Sequence, residues 1–113
     1  MSQPNKEDIL KAIDKEVKTH PIFMYIKGTK DSPMCGFSAA TLKLFKQMGK
    51  PFETLDVLSN PDRRMLVPEY SEWPTFPQVF IKGQLIGGSD ICHEMYETGE
   101  LQKLVDEAFQ KSS

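Results

Sequence analysis

Ile22-Phe23-Met24-Tyr25-Ile26-Lys27-Gly28, followed by Pro33-Met34-Cys35-Gly36-Phe37-Ser38, is the stretch whose reading decides the fold. The run Ile22 to Ile26 is β-branched and aromatic without clean alternation, the pattern of a central strand covered on both faces. Gly28 to Met34 reads as a loop. A helical pattern begins at Gly36, with Ala39, Ala40, Leu42, Phe45 and Met48 as its apolar face, and stops at Gly49 with Pro51 beyond. Cys35 therefore stands at a helix N-terminus, where unpaired backbone N–H groups and the positive end of the helix dipole stabilise a thiolate. Such a thiolate is a nucleophile or a metal ligand. Three residues on, where a Cys-x-x-Cys redox centre carries its resolving thiol, stands Ser38, and a hydroxyl cannot form a disulfide.

Outward from this stretch the chain alternates between helix and strand signals. Asn5 and Asp8 form a capping-box pattern ahead of Ile9, Ala12, Ile13 and Val17, which predicts a helix over 6–18, closed by His20-Pro21. Phe52 to Val57 is a second strand. Asn60-Pro61 offers an N-cap and a first-turn proline for a short helix carrying Arg63 and Arg64, which Pro68 should kink or end. Trp73-Pro74-Thr75-Phe76-Pro77 is too rich in proline for regular structure. Gln78 to Ile81 and Gln84 to Ile86, joined at Lys82-Gly83, read as a hairpin that ends at Gly87-Gly88. Ser89-Asp90 has the chemistry of an N-cap and first turn for a helix through Glu97. After Gly99 a last amphipathic helix carries Leu101, Leu104, Val105, Ala108 and Phe109. This order predicts an α/β domain spanning 1–113, with a parallel first strand pair, an antiparallel hairpin and helices on both sheet faces.

Composition narrows the function classes. Fourteen basic and 16 acidic side chains are mixed along the 113 residues, leaving a net charge of −2 and no basic stripe for nucleic acid. The longest apolar runs fall far short of the roughly 20 residues of a membrane helix. Met1 to Glu7 has no signal-peptide core, so the expectation is a soluble, cytoplasmic protein. Two cysteines are too few for a disulfide scaffold.

Four motifs in order, Lys27-Gly28-Thr29, Cys35-Gly36-Phe37-Ser38, Trp73-Pro74-Thr75-Phe76-Pro77-Gln78 and Gly87-Gly88-Ser89-Asp90-Ile91, resemble a monothiol glutaredoxin of single-domain type over nearly the whole chain. The resemblance implies a thioredoxin fold with a four-stranded mixed sheet, a cis bond at Pro77, glutathione binding, and carriage or delivery of an iron-sulfur cluster. It implies that Lys27 and Arg64 hold the glycyl carboxylate of glutathione and that the Phe76 backbone, within Thr75-Phe76-Pro77, pairs with the cysteinyl unit. Cys35, Gly36 and Phe37 would complete the site. Ser89 and Asp90 would receive the γ-glutamyl end, backbone N–H groups taking the carboxylate and the Asp90 side chain the ammonium. The family often has cysteine where Ser89 stands and proline where Lys30 stands, so one disulfide partner for Cys35 is missing and the loop should differ in stiffness.

A two-iron, two-sulfide cluster usually takes four thiolates, and one chain presents one suitable cysteine. Cys35 from each of two chains and one glutathione thiolate per site make four, which implies a homodimer around a labile [2Fe-2S] cluster. The implied partners are apo iron-sulfur client proteins and a BolA-family protein. The competing functions are a glutathione-dependent oxidoreductase with Cys35 as nucleophile, at most weakly active, and an interaction module with a silent thiol. Each residue also has a plainer role available. Cys35 could be a structural thiol, Lys27 and Arg64 solvated charges, and Asp90 a first-turn stabiliser. Cys92 reads as a small core residue, with a Cys35 disulfide as the alternative, while Arg63 reads as solvent-facing, Trp73 as packing and His93 as a surface helix residue.

Overall fold

β1 (Ile22–Ile26) is buried along its whole length and decides the layering. In this computed structural model, which describes residues 4–110, Ile22, Met24 and Ile26 face one core and Phe23 and Tyr25 the other. A strand sends successive side chains to opposite faces, so a strand without polar alternation must lie between two apolar layers. Around it the order is α1 (Lys6–Thr19), β1, α2 (Gly36–Met48), β2 (Glu53–Asp56), α3 (Pro61–Ser71), β3 (Gln78–Ile81), β4 (Gln84–Gly87), α4 (Ser89–Thr98) and α5 (Glu100–Ala108). The sheet runs β2-β1-β3-β4. β1 pairs parallel with β2 and antiparallel with β3, and β3 pairs antiparallel with β4.

One layer packs Leu42, Leu44 and Phe45 of α2, Cys92 of α4 and Leu101 and Val105 of α5 on the sheet. The other packs Ile13 and Val17 of α1 and Val67 of α3 against Phe23, Tyr25 and Phe80. The expected four-stranded mixed sheet with helices on both faces and the thioredoxin-type topology are therefore present. α1 carries the expected capping box, with the Asn5 side chain accepting from the Asp8 N–H at 2.9 Å and the Asp8 carboxylate from the Asn5 N–H at 3.3 Å.

Several local expectations are corrected. Ala39 is exposed, and the buried face of α2 turns instead through Ser38, Thr41, Leu42, Leu44 and Phe45, because the helix must also bring Ser38 against β1. Asn60 stands at the N-cap of α3 without capping it, since its amide donates to the Asp56 carbonyl at 2.8 Å. Pro68 does not end α3, which runs on to Ser71. Proline inside a helix costs about 3 kcal/mol. Here the turn around Pro68 is seated by Val67 and Tyr70 on the core cluster and tied to α1 just beyond the proline, Lys6 to Glu69 at 2.6 Å and Tyr70 to Asp14 at 2.7 Å. Gly88, not Ser89, is the N-cap of α4, and Gly87 belongs to β4.

Arg63 is the largest departure. Its side chain is only 15% exposed and ion-paired to Glu16 of α1 and to Asp62.

Candidate functional site

The loop between β1 and α2 is tied at both ends. Gly28, at φ 98°, donates to the Asp56 carboxylate at 2.9 Å, and the Met34 N–H returns to the Lys27 carbonyl at 2.9 Å. A Cβ at Gly28 would stand 2.5 Å from the Ser32 carbonyl oxygen, so this turn closes only around glycine. Asp56 also accepts from the Leu58 N–H and the Ser59 hydroxyl, both at 2.8 Å. Burial alone would raise its carboxyl, but these donors outweigh burial and hold it below the ordinary value. Lys30 is not a free loop residue. Its ammonium donates to the Phe52 carbonyl and lies 4.7 Å from the centre of the Phe52 ring, so the side chain splints the loop to the start of β2.

This frame presents Cys35 as the N-cap of α2, half-buried, with an extended backbone and no capping bond from its own side chain. The Ser38 N–H is the strongest influence lowering its thiol pKa. Burial opposes it, while the Phe37 N–H, the Lys27 charge and the Ser38 hydroxyl add to it. The thiolate stabilisation expected at a helix N-terminus is thus present and comes from first-turn donors. Ser38 itself is fully buried, and its hydroxyl accepts from the Lys27 N–H at 3.2 Å, stitching α2 to the end of β1. Cys92 is the opposite case. It is fully buried in the apolar layer, and burial pushes its thiol up to about 12.

A groove of about 640 Å³ opens beside Cys35. Of the residues singled out from sequence, Lys27, Cys35, Phe37, Arg64, Thr75, Phe76, Pro77, Ser89 and Asp90 line it. Gly36 does not; it is exposed in the first turn of α2, outside the wall. The two cations come from the end of β1 and from α3, whereas Ser89 and Asp90 open α4, whose first N–H groups have no intrahelical acceptor. The Phe76-Pro77 bond is cis, as the resemblance implies.

Pro68, Trp73, Pro74, Gly88 and Ile91 also line the groove and were not singled out as site residues. The signal for Trp73 and Pro74 was available, since both stand in the motif that supplies Thr75 to Pro77. Trp73 both packs and lines the groove, and its indole N–H is buried without a hydrogen-bond partner. Ser89 faces inward along α4, where His93 Nδ1 lies 2.8 Å from the Ser89 carbonyl oxygen. Among the described residues no group of three or more His, Cys, Asp or Glu side chains is arranged to hold a metal ion, and no helix is long and apolar enough to cross a membrane.

With this geometry in hand, the chain can be set beside known proteins. Residues 22–86 match the glutaredoxin family profile. The chain is 46% identical over 98 residues to "Glutaredoxin 4" of Buchnera aphidicola subsp. Baizongia pistaciae, covering 87% of this chain and 91% of that one. It is also 46% identical over 96 residues to an uncharacterised monothiol glutaredoxin of Synechocystis, covering 85% and 90%. Among solved structures, reduced poplar apo GrxS14 superposes with a TM-score of 0.78 at 44% identity, over 88% of this chain and 92% of that one. The buckwheat glutaredoxin-glutathione complex shares the fold, with a TM-score of 0.82 at 23% identity over 96% of each chain. A strand, loop and helix that offer one activated thiol, a cis proline lining the same groove and this set of relatives lead to one conclusion: the chain belongs to the glutaredoxin family and is of monothiol type.

Proposed function

We propose that the protein binds glutathione in the Cys35 groove and carries a labile [2Fe-2S] cluster between two of its own chains, delivering it to apo iron-sulfur proteins. The observation that carries this is the isolation of an activated thiol. Cys35 is accessible with a lowered pKa, while Ser38 is a buried hydroxyl and Cys92 a buried thiol that resists ionisation. A thiolate with no internal resolving partner needs an external thiol, and glutathione fits what surrounds it. A volume of about 640 Å³ is ample for a tripeptide. Lys27 and Arg64 would take the glycyl carboxylate, where the arginine fork adds bidentate geometry. The Phe76 backbone beside cis Pro77, with Thr75, would dock the peptide as an added strand. The opening N–H groups of α4 at Ser89, with the Asp90 carboxylate, would take the γ-glutamyl carboxylate and ammonium.

The cluster is cargo in this scheme. One chain supplies one thiolate, so four sulfur ligands require two chains and two glutathiones, and the two dissociable thiols suit transfer. The buckwheat relative in complex with glutathione supports the ligand. A BolA-family protein in place of the second chain, and a cytoplasmic setting, belong to the same proposal.

Anaerobic incubation with iron, sulfide and glutathione tests it. A coloured dimer that forms only when glutathione and Cys35 are both present is expected, and Cys35→Ser should stay colourless and monomeric. A wild-type protein that stays colourless would overturn the cluster reading. The second function, glutathione-dependent reduction of mixed disulfides by the Cys35 thiolate, is favoured by the same lowered pKa. Steady turnover on a glutathionylated substrate without cluster formation would put it first.

A further inference from the structure

Two cations face the groove from different elements, Lys27 at the end of β1 and Arg64 on α3. Val67, with Leu66 and Tyr70, seats α3 on the apolar cluster it shares with α1 and β1. A polar relay on α1 reaches both elements as well. Glu16 accepts from the Tyr25 hydroxyl at 2.6 Å, two residues before Lys27, and its two oxygens accept from Nε, at 3.2 Å, and Nη2 of Arg63, the residue next to Arg64. The third side of the Arg63 guanidinium is bound to Asp62 at 2.9 Å. Consecutive helical residues project about 100° apart, since about 3.6 residues make a turn. Pinning Arg63 therefore fixes the rotation of α3 at which Arg64 leaves the helix for the groove. Tyr25 ties that rotation to the rigid interior strand whose end carries Lys27.

We infer that Glu16 is a positioning residue for ligand recognition: through Tyr25 and Arg63 it sets the separation of Lys27 and Arg64, and so the affinity for a ligand with a terminal carboxylate. The inference rests on the glutathione site proposed above, in which this pair takes the glycyl carboxylate. Glu16 touches no ligand in this scheme, so its effect must pass through Arg64 and be confined to that carboxylate. A role in stability alone has neither signature.

NMR titration of labelled protein with glutathione, and with glutathione amidated at its glycyl carboxyl, which keeps the tripeptide but carries no charge at that end, separates these cases. Arg64→Gln should raise Kd for glutathione roughly tenfold, as for loss of a charge-assisted pair. Glu16→Gln and Arg63→Met should each raise it roughly three- to fivefold, leave the Kd of the glycyl amide unchanged, and add nothing in the Arg64→Gln background. Should Glu16→Gln not fold, Arg63→Lys carries the same test, because it keeps the charge and loses the fork. Full affinity in these variants, equal losses for both ligands, or losses that add undiminished to Arg64→Gln would each overturn the inference. An unchanged Kd in Arg64→Gln itself would instead remove the assignment of Arg64, and this inference with it.

Discussion

The two helical layers differ in what holds them. α2, α4 and α5 lie on the sheet through a continuous apolar cluster running from Ile22 and Met24 through Phe45 to Leu101 and Val105. α1 and α3 also share a cluster, but between them run ties that are charged or hydroxyl-based: Glu16 to Arg63, Asp14 to Tyr70, and Lys6 to Glu69. Cys35, Ser89 and Asp90 belong to the first layer, and Arg64 to the second. The helices α2 and α4, which begin at the groove, are thus placed by packing, which is insensitive to salt and pH. The cation on α3 is placed by interactions that sense both.

Removing mass from the apolar layer should have the largest effect. Phe45 is 1% exposed, and Phe45→Ala should cost about 3–5 kcal/mol in urea unfolding. Arg63→Met should cost about 1–2 kcal/mol, below the range for a fully buried pair because Glu16 keeps 24% of its side chain in solvent. Equal losses would erase the distinction between the layers. At the joint beside them, Gly28→Ala places a Cβ against the Ser32 carbonyl at positive φ and should cost about 1–3 kcal/mol. The same change should raise the pH at which Cys35 alkylates, since the loop delivers the thiol to its first-turn donors.

Salt sharpens the contrast further. At about 1 M ionic strength, where screening reaches to roughly 3 Å, the deficit of Arg63→Met against wild type should shrink while that of Phe45→Ala persists. The smallest effect is on the acid side. The Tyr70 hydroxyl, and after it Lys18, hold the Asp14 carboxyl below its ordinary 3.8. Its stabilisation is therefore present above that value and lost as pH falls through the lower, folded-state pKa. Asp14→Asn should flatten the acid limb of the stability profile, and an unchanged limb would show that the Tyr70 tie contributes nothing.

Most of the thiol's side of the groove was legible in the residues. The run Ile22 to Ile26 announces an interior strand, Cys35-Gly36 a helix start, and Trp73 to Pro77 an irregular wall, because each is a local pattern with a local physical cause. The misreadings share a different origin. Arg63 looked solvent-facing because its neighbour Asp62 could pair with it at the surface, and the partner that draws it inward, Glu16, is 47 residues away. Pro68 looked like a helix end because its cost is local, whereas the ties that offset it come from α1. Asn60 had the chemistry of a cap, but the Asp56 carbonyl claimed its amide. Ser89 yielded the cap of α4 to Gly88, where a Cβ would press to 3.2 Å from the Pro77 carbonyl oxygen.

By itself the sequence determined the order of elements, the single thiol at a helix start and the absence of a neighbouring thiol to resolve it. These follow from backbone preferences and side-chain chemistry that act within a few residues. Only the tertiary structure decided that one of the two apolar layers beside β1 carries polar ties as well, that Lys27 and Arg64 meet at one groove, and that Glu16 joins the elements bearing them. Those outcomes depend on which distant groups are left without water when the chain closes. A buried guanidinium or hydroxyl must then find its partner wherever the fold puts one.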